Sequence, residues 1–273
     1  MKTSKVAAIS INANSLKHDS RYDFALEAFA KGTKSQLLSP GCVKERPMTM
    51  IARGVSESVG YWIRECQNNN LPFYHIDSGY FGNPKSKKWH RVTFNEMQNT
   101  SVIKDRPADR LEMILNKSWT DLYKPITPGK KILICPPSKK VMNFFNQDTP
   151  ENWTNNIVTQ LQQLTDRPIE VRLKPSSTDR SVYKTLKNAL SEDVYCLVTY
   201  NSIAATEAIM EGKPAVTLGP NAAQTICETN LNNIENLKIP TKDEVYAFLK
   251  HLSYCQFTIS EMREGIHWKY LNC

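Results

Sequence analysis

No stretch of this sequence approaches the roughly 20 consecutive apolar residues needed to cross a bilayer, so no membrane-spanning helix is predicted. The opening "MKTSKVAAISINANS" has the lysines and short apolar patch of a secretion signal. Its patch is broken by Ser10 and Asn12 and leads to no cleavage site, so it reads as a first β-strand. The seven cysteines, at 42, 66, 135, 196, 227, 255 and 273, form no C-x-x-C pair, and Cys135 and Cys196 lie inside apolar runs. That spacing disfavours structural zinc and disulfides and predicts reduced thiols in a cytoplasmic compartment. No G-x-x-x-x-G-K-[ST] loop is present, which argues against a P-loop kinase, and no G-x-G-x-x-G follows a strand, which argues against a Rossmann dehydrogenase. No D-x-D motif supplies the carboxylate pair of a metal-dependent sugar transferase, so no metal site and no cofactor is predicted.

What is present is positive charge. Over 273 residues the formal net charge is +8, with clusters in "NPKSKKWHR" (83–91), "PGKK" (128–131) and "PSKK" (137–140). Such a balance suits a polyanionic partner or a phosphorylated ligand and does not by itself choose between nucleic acid and a diphosphate.

Apolar runs and helical stripes alternate along the chain. The first half has strand-like runs at 6–12, 48–54 and 72–79, with a helical stretch at 56–70 whose Val59, Ile63 and Cys66 share a face. A further helix is expected over 108–119. "YKPITPGKK" (123–131) then brings several breakers together, and the boundary is placed at 128: an N-terminal domain over 1–128 and a second over 129–255. The second half repeats strand and helix: strands at 131–137, 169–175, 194–200 and 214–219, helices at 152–165, 181–191 and 202–211. This is the rhythm of a parallel, doubly wound α/β domain. Residues 256–273 carry another helical pattern, placed either to cross back onto the first domain or to cap the sheet edge.

Ligands of open parallel sheets sit beyond the carboxyl ends of the strands. Every polar cluster of the second half falls there: Ser138 after the first strand, Arg172 and Lys174 at the end of the second, Asn201 and Ser202 after the third, and "GPNAAQT" after the fourth. Ser202 and Thr206 lie four apart on the next helix, with Glu207 one residue on. A helix start offers free N–H groups to an anion, and a carboxylate there can accept two hydrogen bonds from a vicinal diol. The same residues also make an ordinary N-cap with a favourable early-helix acid.

"NSIAATEAIMEGKPAVTLGP" and the "R-x-K-P" at 172–175 resemble the donor site of GT-B glycosyltransferases, especially the capsule-polysaccharide and Kdo-transferase-like group. The resemblance covers about residues 130–220 and is shared in part by UDP-sugar epimerases. It implies two Rossmann-like domains with a final helix crossing back to the first. It also implies a nucleotide-sugar co-substrate, most simply a UDP-sugar, held by Ser138, Arg172, Lys174, Asn201, Ser202, Thr206 and Glu207, with electrostatic stabilisation of the leaving diphosphate in place of a metal.

In the first half, "FYHIDSGYFGNPKSKKWHRVTFN" (73–95) delivers His75 and Asp77 to a strand end. Asp77 is the expected base for an acceptor hydroxyl, and His75, on the same face, would orient or replace it. Both also suit a turn cap and a core histidine. Arg53 closes the preceding strand as an acceptor or donor phosphate contact, or as a surface arginine. Tyr80, Phe81, Lys85, Lys87, Lys88, Trp89 and Arg91 combine rings with charge, the arrangement that stacks bases and tracks a nucleic-acid backbone. In that respect the chain resembles virus-encoded enzymes that glycosylate hydroxymethylated pyrimidines in DNA, which implies DNA as acceptor and a host cytoplasm. A saccharide acceptor of the capsule or lipopolysaccharide type, a nucleotide-sugar epimerase, and a non-catalytic nucleic-acid-binding protein on a transferase fold are the competing readings. No protein partner is readable.

Overall fold

A computed structural model describes residues 8–10, 20–35, 37–38, 49–83, 88–99, 102–174 and 185–271. The chain divides into two compact units: Met1–Asn99 with Leu252–Cys273, and Thr100–His251. The division comes earlier than the expected boundary at 128, because residues 102–128 pack with the second unit. Thr127 N–H bonds Gly212 O at 2.9 Å and Gly129 N–H bonds Val194 O at 2.8 Å. The breakers at 125–129 therefore lie inside that unit.

Unit 1 is built on a six-stranded sheet. Its strands are β1 (Ala8–Ser10), β2 (Leu37–Leu38), β3 (Met50–Arg53), β4 (Phe73–Ser78), β5 (His90–Phe94) and β10 (Gln256–Phe257), in the order β10-β5-β4-β3-β1-β2. β2, β1, β3 and β4 are parallel, whereas β5 runs antiparallel to β4 and β10 antiparallel to β5. Helix α1 (Ser20–Gly32) covers the sheet with Ala25, Leu26, Ala28 and Phe29, all buried against Ile51, Tyr74, Ile76 and Val92. Helix α2 (Glu57–Asn68) starts where Ser56 Oγ accepts the Val59 N–H, and buries Val59, Ile63 and Cys66. The C-terminal segment adds β10, α10 (Ile259–Arg263) and α11 (Ile266–Leu271). α10 opens with a reciprocal capping box between Thr258 and Glu261. It packs on α1 so closely that a Cβ on Gly32 would lie 1.9 Å from Met262 O, a contact only glycine permits.

Unit 2 has a wholly parallel four-stranded sheet, β7-β6-β8-β9, from β6 (Lys131–Cys135), β7 (Ile169–Val171), β8 (Val194–Thr199) and β9 (Ala215–Thr217). Its helices are α3 (Asp109–Leu115), α4 (Trp119–Leu122), α5 (Lys139–Phe144), α6 (Pro150–Leu164), α7 (Leu186–Leu190), α8 (Ala204–Met210) and α9 (Lys242–Ser253), through which the chain returns to unit 1. β6 and β8 read as continuous apolar runs because both faces are covered, and all six residues of β8 are buried. α6 has Thr149 as its cap and Pro150 in its first turn, and buries Trp153, Ile157 and Leu161.

Candidate functional site

The register of the unit 2 sheet sets the donor-type residues level. Ile134 lies beside Val171 on one side and Val198 on the other, and Val198 beside Val216. The chain therefore leaves all four strands at one edge, through Cys135, Arg172, Tyr200 and Leu218. Arg172 is half-buried there; its N–H binds Ile134 O at 2.8 Å, and its guanidinium bonds the Cys135 thiol. Burial pushes that thiol up to about 12.

Glu207 is half-buried in the first turn of α8. Burial raises its carboxyl above the usual carboxylate range and Glu211 adds to this, while Arg172 and Lys174 pull the other way. Arg172 and Lys174 are thus near enough for their charges to act on Glu207. Ser202 is half-buried; its Oγ accepts the Ala204 N–H at 3.2 Å, and its carbonyl accepts from Asn221 Nδ2 at 2.9 Å. Asn201 is buried beside it, and Ser138 is exposed at the start of α5 without making a side-chain cap bond. Thr206, four residues on from Ser202, is not exposed to a ligand in this structure. Its side chain is fully buried, and its Oγ1 has no hydrogen-bond partner among the described residues.

Asn221 belongs to the polar "GPNAAQT" cluster after the fourth strand, but its bridging role is not visible in sequence. It is fully buried, donates to Ser202 O and accepts the Ala223 N–H at 2.9 Å, so one amide ties the loop after β8 to the loop after β9. Its "G-P-N" context was a legible turn signal, but the partner across the fold was not. Gly219 in that loop is explained by packing, since a Cβ there would meet the Tyr200 ring at 2.5 Å.

In unit 1, Asp77 and Arg91 stand directly opposite on β4 and β5, and Asp77 Oδ2 lies 2.8 Å from Arg91 Nη2. Asp77 Oδ1 accepts the Ser78 N–H at 2.7 Å. Burial alone would raise the Asp77 carboxyl, but Arg91 first, with the Ser78 N–H and Arg53, holds it below its ordinary value. Its side chain is 33% exposed, so an ionised carboxylate with spare lone pairs meets solvent. His75 is fully buried, with Nε2 3.0 Å from Gly54 O, and burial lowers its pKa, so the ring is neutral. A ring closed off from solvent has no path to an acceptor hydroxyl. His75 is therefore a core histidine rather than a second base.

The acceptor loop needs the largest correction. Tyr80, Phe81 and Trp89 are 1%, 6% and 4% exposed, so none is an open stacking platform. Residues 90–94 are β5, not loop. Arg91 is taken up inside the protein: beyond Asp77 it donates to Ser78 O at 2.9 Å and Met97 O at 3.3 Å. Lys88 is exposed, with Nζ 5.1 Å over the Trp89 ring. Arg53 is half-buried at the end of β3. Lys85 and Lys87 lie outside the described residues. The turn after β4 is held from the far end of the chain. Gln256 Oε1 accepts the Tyr80 N–H at 2.7 Å and the Phe81 N–H at 3.3 Å, and its Nε2 donates to Phe81 O at 3.1 Å. No local sequence pattern announces a contact spanning that separation. Among the described residues, no group of three or more His, Cys, Asp or Glu is gathered to hold a metal ion, and no helix is long and apolar enough to cross a membrane.

Two α/β units, one with a parallel sheet and one with a mixed sheet, linked through a C-terminal segment that rejoins the first, make a GT-B-like fold of two Rossmann-like domains. Among solved structures, the chain is similar to Thermosulfurimonas dismutans KpsC, beta Kdo 2,4 transferase, with 13% identity, 93% of this chain and 92% of that one covered, and a TM-score of 0.53. T. dismutans KpsC, beta Kdo 2,7 transferase, aligns at 11% identity over 97% of this chain and 100% of that chain, with a TM-score of 0.46. At such identities the likeness is one of fold. No family model matches the sequence, and no curated protein matches it.

Proposed function

We propose that this protein is a glycosyltransferase that moves a sugar from a nucleotide-sugar donor to a saccharide hydroxyl. The observation that carries the reading is the group formed by Arg172, Lys174 and Glu207 at the carboxyl edge of the unit 2 sheet. A diphosphate leaving group develops negative charge as the glycosidic bond breaks, and two cations at the strand end stabilise that charge. Glu207, ionised, accepts hydrogen bonds from a ribose or sugar diol. The raised carboxyl fits a residue whose partner arrives with the ligand: burial disfavours its charge until donor hydroxyls bond it. Asp77 would take the acceptor proton. Its ion pair with Arg91 makes it a weak base, suited to receiving a proton late, as the hydroxyl attacks.

The acceptor is a saccharide rather than DNA for a specific reason: the rings that would hold an extruded base, Tyr80, Phe81 and Trp89, are in the core. The similar solved protein that carries weight here is named for Kdo transfer, which supports the same choice. The test is mass spectrometry of products from UDP-sugars and nucleotide-activated Kdo, each incubated with Kdo-terminated oligosaccharides and with hydroxymethylated DNA. A sugar adduct on the oligosaccharide is expected. Adducts confined to DNA overturn the acceptor, and donor conversion without any acceptor favours an epimerase.

A further inference from the structure

The antiparallel half of the unit 1 sheet sets three polar residues in one row. Asp77 of β4 pairs with Arg91 of β5, and Arg91 pairs on its other side with Gln256 of β10. Directly paired residues project to the same face of a sheet. Tyr74 and Ile76 alternate with Asp77 along β4 and meet α1, so the row lies on the face that α1 leaves uncovered.

Gln256 is fully buried at the end of this row, and its amide is directed at the turn that follows Asp77. Its Oε1 accepts the Tyr80 and Phe81 N–H groups, and its Nε2 donates to Phe81 O. Only a side-chain amide does both. A carboxylate would face Phe81 O with oxygen, and an apolar chain would leave two buried N–H groups unbonded. The turn also fits the amide closely, since a Cβ on Gly79 would lie 2.9 Å from Gln256 Oε1.

From that turn the constraint reaches Asp77 by two routes. Tyr80 is anchored at its backbone by Gln256 and at its hydroxyl by the Asn99 N–H at 2.9 Å, and its ring lies 5.7 Å from the Arg91 guanidinium. Ser78 O accepts from Arg91 Nη1 at 2.9 Å, while the Ser78 N–H donates to Asp77 Oδ1 at 2.7 Å. Arg91 Nη2 then meets Asp77 Oδ2 at 2.8 Å. Both carboxylate oxygens are oriented by groups that rest on the turn.

We propose that Gln256 is a positioning residue for Asp77, fixing the turn and the Arg91 guanidinium so that the carboxylate keeps one direction toward solvent. The proposal rests on the reading of Asp77 as the acceptor base and adds a residue from the far end of the chain to that site.

The experiment follows the Asp77 carboxyl carbon by NMR through an acid titration of the full chain. The charged and titratable groups that face it are Arg91 on β5, Arg53 on β3 and the neutral His75 on β4. Wild type should titrate below the usual aspartate value of about 3.9, because Arg91 outweighs burial. Gln256→Met, which keeps the length but neither accepts nor donates, should move the midpoint up toward that value. Gln256→Asn, which withdraws the amide from the turn, should act in the same direction and decides the matter if the methionine variant does not fold. Phe29→Leu, in α1 against the opposite face, should lower the urea midpoint and leave the Asp77 titration in place. A wild-type midpoint at the usual value, no change in the Gln256 variants, or an equal change in Phe29→Leu would each overturn the positioning. In transfer assays with a UDP-sugar or nucleotide-activated Kdo, Gln256→Met should lower kcat by about 10–100-fold with little change in donor KM. A rise in donor KM at unchanged kcat would overturn it. The titrations use no sugar, so their failure leaves the transferase reading standing, whereas transfer at the wild-type rate by Asp77→Asn would remove the base and leave the positioning intact.

Discussion

Replacing Asp77 by Asn separates charge from shape at the β4–β5 pair. Asparagine is almost isosteric and offers one acceptor oxygen, but two donors face that position: Arg91 Nη2 at 2.8 Å and the Ser78 N–H at 2.7 Å. One of them must lose its acceptor and meet an amide N–H₂ instead. A hydrogen bond to a charged group contributes about 1.5–3 kcal/mol net, and the one-third exposure of Asp77 argues for the lower end, about 1.5 kcal/mol. The pH dependence follows from the direction of the shift. The folded-state pKa of Asp77 is depressed, so its stabilisation is fully present above the unfolded value of about 3.9 and is lost as pH falls through the folded value. The assay is urea unfolding followed through the NMR amide signals of β4 and β5, which report unit 1 apart from unit 2. The gap between wild type and Asp77→Asn should be near 1.5 kcal/mol at about pH 6 and should shrink steadily below about pH 4. The same gap at every pH, or none at about pH 6, would refute the ion-pair account.

Glu207 should behave in the opposite sense. Its folded-state pKa is raised, so ionising it costs the folded state, a cost absent below the unfolded pKa and fully present above the folded one. Glu207→Gln should therefore unfold no earlier than wild type at neutral pH in a thermal scan, yet bind nucleotide-sugar more weakly by calorimetry; early unfolding would mark a structural acid instead. Trp89→Ala should destabilise unit 1 by about 3–5 kcal/mol, the cost of emptying a core site, rather than act selectively on an acceptor, and urea unfolding measures this. Gly219→Ala should cost about 1–3 kcal/mol, because its Cβ would overlap the Tyr200 ring; an unchanged urea midpoint would show that the loop can move away. Cys135, with its thiol pushed up to about 12 by burial, should resist thiol-reactive dyes at about pH 8 in the folded protein and react on unfolding. Rapid labelling of the native chain would contradict the burial.

The parts that were legible in sequence are those where local pattern and tertiary position agree. "KILIC", "VYCLVT" and the Trp153–Ile157–Leu161 stripe declare a buried parallel strand or an amphipathic helix on their own, and each lies where its period requires. The strand expected over 169–175 is shorter, ending at Val171; Pro175, at the end of the expected run, lies outside the described residues. The second helix of that half, expected over 181–191, is described only as Leu186–Leu190. In "WHRVTF" charge does not mean exposure. His90 and Arg91 are buried, Arg91 since Asp77, Ser78 O and Met97 O meet its guanidinium. A cation in the core is affordable only with partners, and those partners come from other segments. The same holds for Gln256 and Asn221, whose buried amides bridge loops far apart in the chain. The strand ends themselves could be read from composition and position, whereas which polar residues turn inward could not.

The most direct measurement is a crystal structure grown with a UDP-sugar or nucleotide-activated Kdo. The account predicts the diphosphate against Arg172 and Lys174 at the carboxyl edge of the unit 2 sheet, with a donor hydroxyl within hydrogen-bond distance of Glu207. A nucleotide seated elsewhere, with Glu207 untouched, would contradict it.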